Sequence, residues 1–275
     1  MILIISPKNT YAAQRILIEA KSRNIQVKVV SVGELAKLGF KVNVGEFESL
    51  HIRNPYHKGS PKYLPHIISL AKQFKRAGKK VVDENIADGR LGEGKWKDYL
   101  GLKKAKISIP KTSQYTPKPY LLKPRPYILK WIYGMKGNAT FLIKQESDLK
   151  KIPKIMPEQE LMRQEFIEAD YEYKVVCVGY KALPVVLKFK MNKLYRPDFK
   201  NYKVIKSSVA KGAVAIAENA SKILGRELSK VDILEKDGKF YVLEVNRFPG
   251  LKSFEELTGV NVFQQFLRYL SRTNN

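Results

Sequence analysis

The sequence predicts an α/β fold: a small parallel α/β lobe followed by two α+β lobes. Three observations carry this reading. Residues 1–85 alternate short apolar runs with helical stretches, the pattern of a parallel sheet with helices on its faces. Residues 86–160 hold a short helix, a proline-rich loop and a pair of strands. Residues 161–275 hold further strands, an amphipathic helix, a hairpin and a closing helix.

In the first lobe, Ile2 to Ile5, Gln26 to Val32, Leu50 to Arg53 and Lys80 to Val82 read as strands, with helices at Ala12 to Lys21 and Leu64 to Arg76. Lys95 to Lys104 reads as a helix, ended by Ser108-Ile109-Pro110 because the residue before proline disfavours helix. Tyr127 to Trp131 and Thr140 to Lys144 are strands, joined through residues 133–138, and a short helix is expected over Glu146 to Lys151. The third lobe is expected to open at Leu161-Met162-Arg163-Gln164-Glu165-Phe166-Ile167 and to continue with strands at Tyr171 to Val178 and Ala182 to Lys190. Lys193 to Ser208 has no clear period and reads as a loop. In Val209 to Leu224, Ala213, Ile216, Ala217, Ala220, Ile223 and Leu224 share one helical face, and Gly225 ends it. A hairpin turns at Asp237-Gly238, and Val262 to Arg272 closes the chain with Phe263, Phe266, Leu267 and Leu270 on one stripe.

Of the 275 residues 44% are hydrophobic, enough for a core, and no run of 18 apolar residues suggests a membrane span. The first seven residues are too short an apolar run for a signal peptide and read as a buried strand. The one cysteine, Cys177, rules out an internal disulfide, and a cytoplasmic setting is expected. The balance of 51 basic against 26 acidic residues gives a net charge of +25. Such a charge attracts polyanions, but the lysines are spread along the whole chain without a nucleic-acid-binding fingerprint, so compositional bias explains most of them.

The sharpest constellation is Val231-Asp232-Ile233 with Leu243-Glu244-Val245-Asn246. Strand side chains alternate, so Glu244 and Asn246 share a face. An odd-length loop with a left-handed Gly238 would bring Asp232 to the same face and leave Val231, Ile233, Leu243 and Val245 facing the core. A two-residue Asp-Gly turn would invert Asp232. Two carboxylates and an amide oxygen on one face suit a hard cation such as Mg²⁺; the bland alternative is a solvated strand face.

This hairpin and its continuation Arg247-Phe248-Pro249-Gly250 resemble the metal-binding end of ATP-grasp ligases, and Leu257-Thr258-Gly259-Val260-Asn261 resembles the ending of RimK-like members. Upstream, Lys95 with Ile109-Pro110-Lys111-Thr112, Tyr127-Ile128-Leu129-Lys130, Gln164-Glu165-Phe166-Ile167 and Glu172-Tyr173-Lys174 follow the family in order. The resemblance covers residues 75–272. It implies an ATP-grasp fold whose first lobe, residues 1–85, is Rossmann-like and whose lobes 86–160 and 161–275 clasp ATP.

The resemblance also implies roles. Lys95 and Lys130 would neutralise phosphates, and a loop carrying Gly134, Lys136 and Gly137 would cover them. Gln164, Glu165, Phe166 and Ile167 would meet adenine, with Glu172 on the ribose. Asp232, Glu244 and Asn246 would hold Mg²⁺ (or Mn²⁺). A substrate carboxylate would become an acylphosphate, which an amine then attacks. Lys200 and Asn201, in the stretch Arg196 to Lys203, and Lys174 are the catalytic candidates. That stretch lacks the family's glycine pair, and Lys174 stands where the family has Arg. The implied partners are an amino acid or small carboxylate and an amine or peptide acceptor, an acidic one by the charge argument. Neither nucleic acid nor membrane is expected, and homo-oligomerisation stays open.

Two other readings compete: an ATP-binding regulator that has lost catalysis, and a basic nucleic-acid-binding protein. Gly89 to Trp96 meets G-x-x-x-x-G-K, but Trp96 replaces the required hydroxyl residue and no strand directly precedes it. His51, His57 and His66 show no ligand spacing.

Overall fold

The computed structural model describes residues 1–56, 58, 60–92, 94–116, 126–133, 139–153, 155–192 and 197–272. Gly134, Lys136, Gly137, His57, Arg196 and the proline-rich 117–125 segment lie outside the described residues.

The first lobe is a four-stranded parallel sheet ordered β2-β1-β3-β4. Its elements are β1 (Ile2–Ile5), α1 (Tyr11–Ser22), β2 (Val27–Val30), α2 (Val32–Lys37), β3 (Ser49–Ile52), α3 (Leu64–Arg76) and β4 (Lys80–Val81). Alternation sorts its side chains. Leu3, Ile5, Leu50 and Ile52 pack with Ile67, Leu70 and Phe74 of α3, while Ile2 and Ile4 pack with Ala13 and Ile16 of α1. Ser49, His51 and Arg53 therefore share the α1 side of β3.

After α4 (Lys95–Lys104) comes a second sheet, ordered β5-β8-β6-β7, from β5 (Thr112–Gln114), β6 (Tyr127–Trp131), β7 (Thr140–Ile143) and β8 (Leu161–Glu165). The segment expected to open the third lobe is thus an inner strand of the second sheet. Leu161 and Met162 are buried in that sheet and Gln164 lies between Thr112 and Ile128. Short apolar runs carry no label for the sheet they join, and the pairing here is non-local.

The third sheet is antiparallel and six-stranded, with the path β12-β11-β9-β13-β14 and β10 beside β9. Its elements are β9 (Tyr171–Val178), β10 (Lys181–Ala182), β11 (Val185–Met191), β12 (Pro197–Lys206), α5 (Lys211–Ile223), β13 (Leu228–Lys236) and β14 (Lys239–Asn246). Tyr173, Val175 and Cys177 of β9 face Ala213, Ala217 and Ala220 of α5. Val176 and Val178, on the opposite face, join α1 and the closing helices α6 (Lys252–Thr258) and α7 (Val262–Arg272) in one core. The first lobe and the chain's end are thus fused: Tyr11 Oη donates to Glu255 Oε2 at 2.6 Å, and Asn261 Nδ2 to Glu19 Oε1 at 2.7 Å.

The stretch read as a loop, Lys193 to Ser208, contains β12, a ten-residue edge strand. Phe199, Tyr202, Val204 and Ile205 break strict alternation and most of the strand is exposed, so no period of two shows. Among the described residues no helix is long and apolar enough to cross a membrane.

Candidate active site

The hairpin brings Asp232 opposite Glu244, and it does so by a different route from the one the sequence suggests. Asp237 and Gly238 both have positive φ (49° and 71°) and form a two-residue turn between Lys236 and Lys239. That turn alone would put Asp232 on the wrong face. The register then shifts between Asp232 and Ile233, so that Ile233 pairs with Val242 and Asp232 with Glu244. Leu243 is the extra residue, a β-bulge. Val242, not Leu243, therefore joins Val231, Ile233 and Val245 in the core against α5. The expected odd loop is replaced by an even turn plus a bulge, which has the same parity.

Neighbouring strands complete the face. Lys174 lies across from Asp232, and Lys230 pairs with Asn246. Glu172 is two residues before Lys174 on β9, on the same side. Lys174 Nζ is 2.5 Å from Glu172 Oε1 and 3.4 Å from Asp232 Oδ1. Asn246 Nδ2 donates to Asp232 Oδ2 at 3.5 Å. Burial pushes the Glu172 carboxyl up while Lys174 pulls it down. Burial works against the Lys174 cation, yet Asp232 and Glu172 hold its pKa above the usual lysine range.

Helix α4 and the second sheet supply the opposing cations. Lys95 is the first residue of α4, fixed where its N–H donates to the Ile132 carbonyl at 3.0 Å beyond β6. Gly94 has φ +54°, and a Cβ there would lie 2.5 Å from Ile132, so only glycine fits this joint. Lys95 Nζ reaches to 3.7 Å from Glu244 Oε1. Lys130 on β6 is buried, and desolvation lowers its pKa to about 8 against the attraction of Glu244. Arg226 ties these parts together: it donates to the Val245 carbonyl, between Glu244 and Asn246, and to Asp98 of α4 at 2.5 Å. Lys95 follows a loop and not a strand, since residues 82–94 separate it from β4; this removes the P-loop alternative.

The structure thus brings Lys95, Lys130, Glu172, Lys174, Asp232, Glu244 and Asn246 together. It does not bring Lys200 or Asn201 to them: both are exposed on β12, and among the described residues neither side chain makes a hydrogen bond or ion pair. At the adenine segment, the Glu165 N–H is already donated to Lys111 O at 2.7 Å, and the Ile167 carbonyl accepts from the Ala169 N–H. Gln164 is buried and donates from Nε2 to Thr112 Oγ1 at 3.0 Å; Phe166 follows β8 directly. The reading by residue type overlooked Lys230 and Arg226, which no local pattern distinguishes from the other basic residues.

As a cation site the face fits in donor chemistry. Asp232, Glu244 and the Asn246 amide offer hard oxygens, and Lys174 and Lys95 stand as cations beside Asp232 and Glu244. Among the described residues no three His, Cys, Asp or Glu converge as a ready-made cage. The arrangement suits a cation whose remaining positions are filled by phosphate and water.

Comparison with known proteins decides the family. The model of the RimK-like ATP-grasp domain matches residues 94–270. The chain belongs to the RimK-like ATP-grasp family. Its reaction class is ATP-dependent ligation of a carboxylate to an amine. A probable alpha-L-glutamate ligase of Legionella pneumophila (strain Corby) is 23% identical over 291 residues, covering 95% of this chain and 92% of the relative. Two solved structures share the fold. The ATP-grasp ligase PsnB, complexed with a phosphomimetic variant of its minimal precursor, Mg and ADP, has a TM-score of 0.74 at 14% identity, covering 100% of this chain and 98% of PsnB. A RimK domain ATP-grasp protein of Sphaerobacter thermophilus has a TM-score of 0.70 at 17% identity, covering 98% of both chains. These likenesses bear out the ATP-grasp fold expected for the RimK-like chain.

Proposed function

We propose that this RimK-like ligase adds glutamate or another amino acid to an acidic peptide, cofactor tail or carrier protein. The observation that carries the site assignment is the approach of two lysines of the second lobe, Lys95 and Lys130, to the Glu244 carboxylate of the third. Cations facing carboxylates across a cleft between sheets are what a metal-bound triphosphate needs, because phosphoryl transfer depends on positioning and charge neutralisation.

In this reading Asp232, Glu244 and Asn246 hold Mg²⁺, or Mn²⁺. When bound, the cation neutralises phosphate charge and aligns the terminal phosphate. Lys95 and Lys130 hold the phosphates from the other side, and the family resemblance assigns Gly134, Lys136 and Gly137 to the same phosphates. Residues Gln164 to Ile167 line the adenine and Glu172 meets the ribose. Lys174 steadies Glu172 and Asp232. The acid substrate takes the terminal phosphate of ATP, releasing ADP, and the amine displaces phosphate from the acylphosphate. The three lobes, 1–85, 86–160 and 161–275, close around that chemistry, with β8 contributed to the middle one.

The substrate choice rests on the +25 charge, which favours acidic partners, and on the relatives' description as probable alpha-L-glutamate ligases. The test is ADP release on mixing the protein, MgATP, each protein amino acid and a set of acidic or basic acceptor peptides. Turnover with acidic acceptors is expected; turnover confined to basic acceptors would remove the charge argument. Glu244→Ala is expected to lower turnover at least ~100-fold with the fold intact by circular dichroism. The regulator reading is favoured by Lys174, whose pairing with both Glu172 and Asp232 occupies two candidate site acids. Tight MgATP binding with no turnover on any pair would establish it.

A further inference from the structure

Two buried arginines, Arg53 and Arg226, and the half-buried Arg247 lie near the candidate site, and two of the three have carboxylate partners. Arg226 pairs with Asp98 and Arg247 with Asp83. Arg53 does not: among the described residues it makes no ion pair, and its hydrogen bond is one donated from Nη2 to the Pro249 carbonyl. Among the described residues its Nε is buried without a partner. A guanidinium has five N–H donors and stays charged at neutral pH; burial lowers its pKa only to about 10. A desolvated cation this poorly satisfied is costly unless an anion completes it.

Its place indicates which anion. Arg53 directly follows β3, and both its N–H and that of Asn54 donate to the Ile5 carbonyl at the end of β1. In the order β2-β1-β3-β4, the chain leaves β1 in one direction and β3 in the other. Ligands of open parallel sheets bind outside the carboxyl ends of the strands at such a switch point. Pro249, which Arg53 grips, is three residues beyond Asn246, no more than ~11 Å of chain from the candidate metal face. Phe248, between them, packs into the first lobe's core and fixes that loop.

We propose that Arg53 anchors a carboxylate of the amino-acid substrate, one that the reaction leaves untouched. The planar fork matches a carboxylate in two parallel hydrogen bonds. It would hold the substrate ground state and product alike, which suits a spectator group and not the carboxylate that is phosphorylated. This rests on the ligase reading above.

The test is calorimetric binding of the twenty protein amino acids to the full chain in the presence of MgADP. The tightest binder is then compared with its counterpart whose α-carboxylate is a carboxamide. The wild type is expected to favour the free acid by about 30-fold or more, and Arg53→Gln to lose that preference and the same factor in affinity. Arg53→Lys keeps the charge without the fork and is expected to fall between them. Ligand-free Arg53→Gln is expected to unfold at the same or a higher temperature than wild type, because a cation whose one attracting carboxylate, Asp83, makes no ion pair with it leaves the interior. Undiminished amino-acid affinity in Arg53→Gln overturns the proposal. So does a lower unfolding temperature together with wild-type binding by Arg53→Lys, which makes Arg53 a support for Pro249 only. Absence of any amino-acid binding by wild type also overturns it; MgADP affinity, measured in the same titrations, tests the ligase reading separately.

Discussion

Asp232 stands directly opposite Glu244 although only two residues turn the chain between their strands. The bulge makes this possible, by holding Leu243 out of the ladder between Val242 and Glu244. The side chain of Leu243 joins none of the buried clusters.

Deleting Leu243 should therefore leave the face in place. The plain ladder then joins Ile233 to Val242, Asp232 to Glu244 and Val231 to Val245, the partners they already have, so both carboxylates keep their side. We expect MgADP affinity to fall less than about threefold in the deletion, as in Leu243→Ala, measured by calorimetry. A loss of ~100-fold or more in the deletion alone would show that the twist of the bulge, and not the face it preserves, shapes the site.

Lys130 should give nucleotide binding a pH dependence. Its pKa is lowered to about 8 by burial, so the free protein loses this cation as pH rises through that value. Phosphate binds the charged form, so affinity for MgADP should fall above pH ~8 by up to about tenfold per unit. Lys130→Arg keeps its charge throughout this range and should remove most of that slope. Parallel slopes in the two proteins would take Lys130 off the phosphates.

Much of this site was legible because its residues recur in an ordered pattern: Lys130 on a strand, then Glu172 and Lys174, then Asp232, Glu244 and Asn246. What was not legible has physical causes. β12 is an exposed edge whose apolar residues do not alternate. The membership of β8 in the second sheet depends on partners 52 residues away at Thr112 and 36 away at Ile128, by subtraction from Gln164. Arg53, Arg226, Arg247 and Lys230 carry no contrast in a chain with 51 lysines and arginines. The parity of the hairpin was readable from Val231, Ile233 and Val245, but whether the extra residue sits in the turn or in the strand was not.

His51 should make the protein less stable in mild acid. It is buried against Phe266, with ring centroids 4.6 Å apart, and among the described residues neither ring nitrogen has a hydrogen-bond partner. Burial lowers its pKa to about 3. The unfolded chain takes up a proton as pH falls through about 6.5 and the folded chain does not until near 3, so stability falls with falling pH between those values. The slope is at most ~1.4 kcal/mol per pH unit. Asp83 acts oppositely: burial raises its carboxyl to about 6, so its contribution grows as pH falls. The difference between wild type and His51→Leu isolates the histidine. Urea unfolding should show His51→Leu gaining on wild type from pH 7.5 to 5; a constant difference would mean that His51 takes up its proton equally in both states.

Arg247 should prove structural, with a cost that depends on pH. It donates to Asp83 Oδ2 at 3.3 Å and to Asn85 Oδ1 at 3.0 Å, while Asp83 accepts from the Glu227 N–H at 2.6 Å. This network joins the end of the first sheet to both ends of the hairpin's base. Removing one member of a buried pair strands the other charge, typically a loss of ~3–5 kcal/mol. Asp83 can escape by taking a proton. Without Arg247, which pulls its pKa down, that proton binds more readily in the folded protein than in the unfolded one. The stability deficit of Arg247→Met should therefore be largest at pH 8 and shrink toward pH 5. Denaturant unfolding at both values measures it, and a deficit that grows on acidification would show that Asp83 stays charged without its arginine.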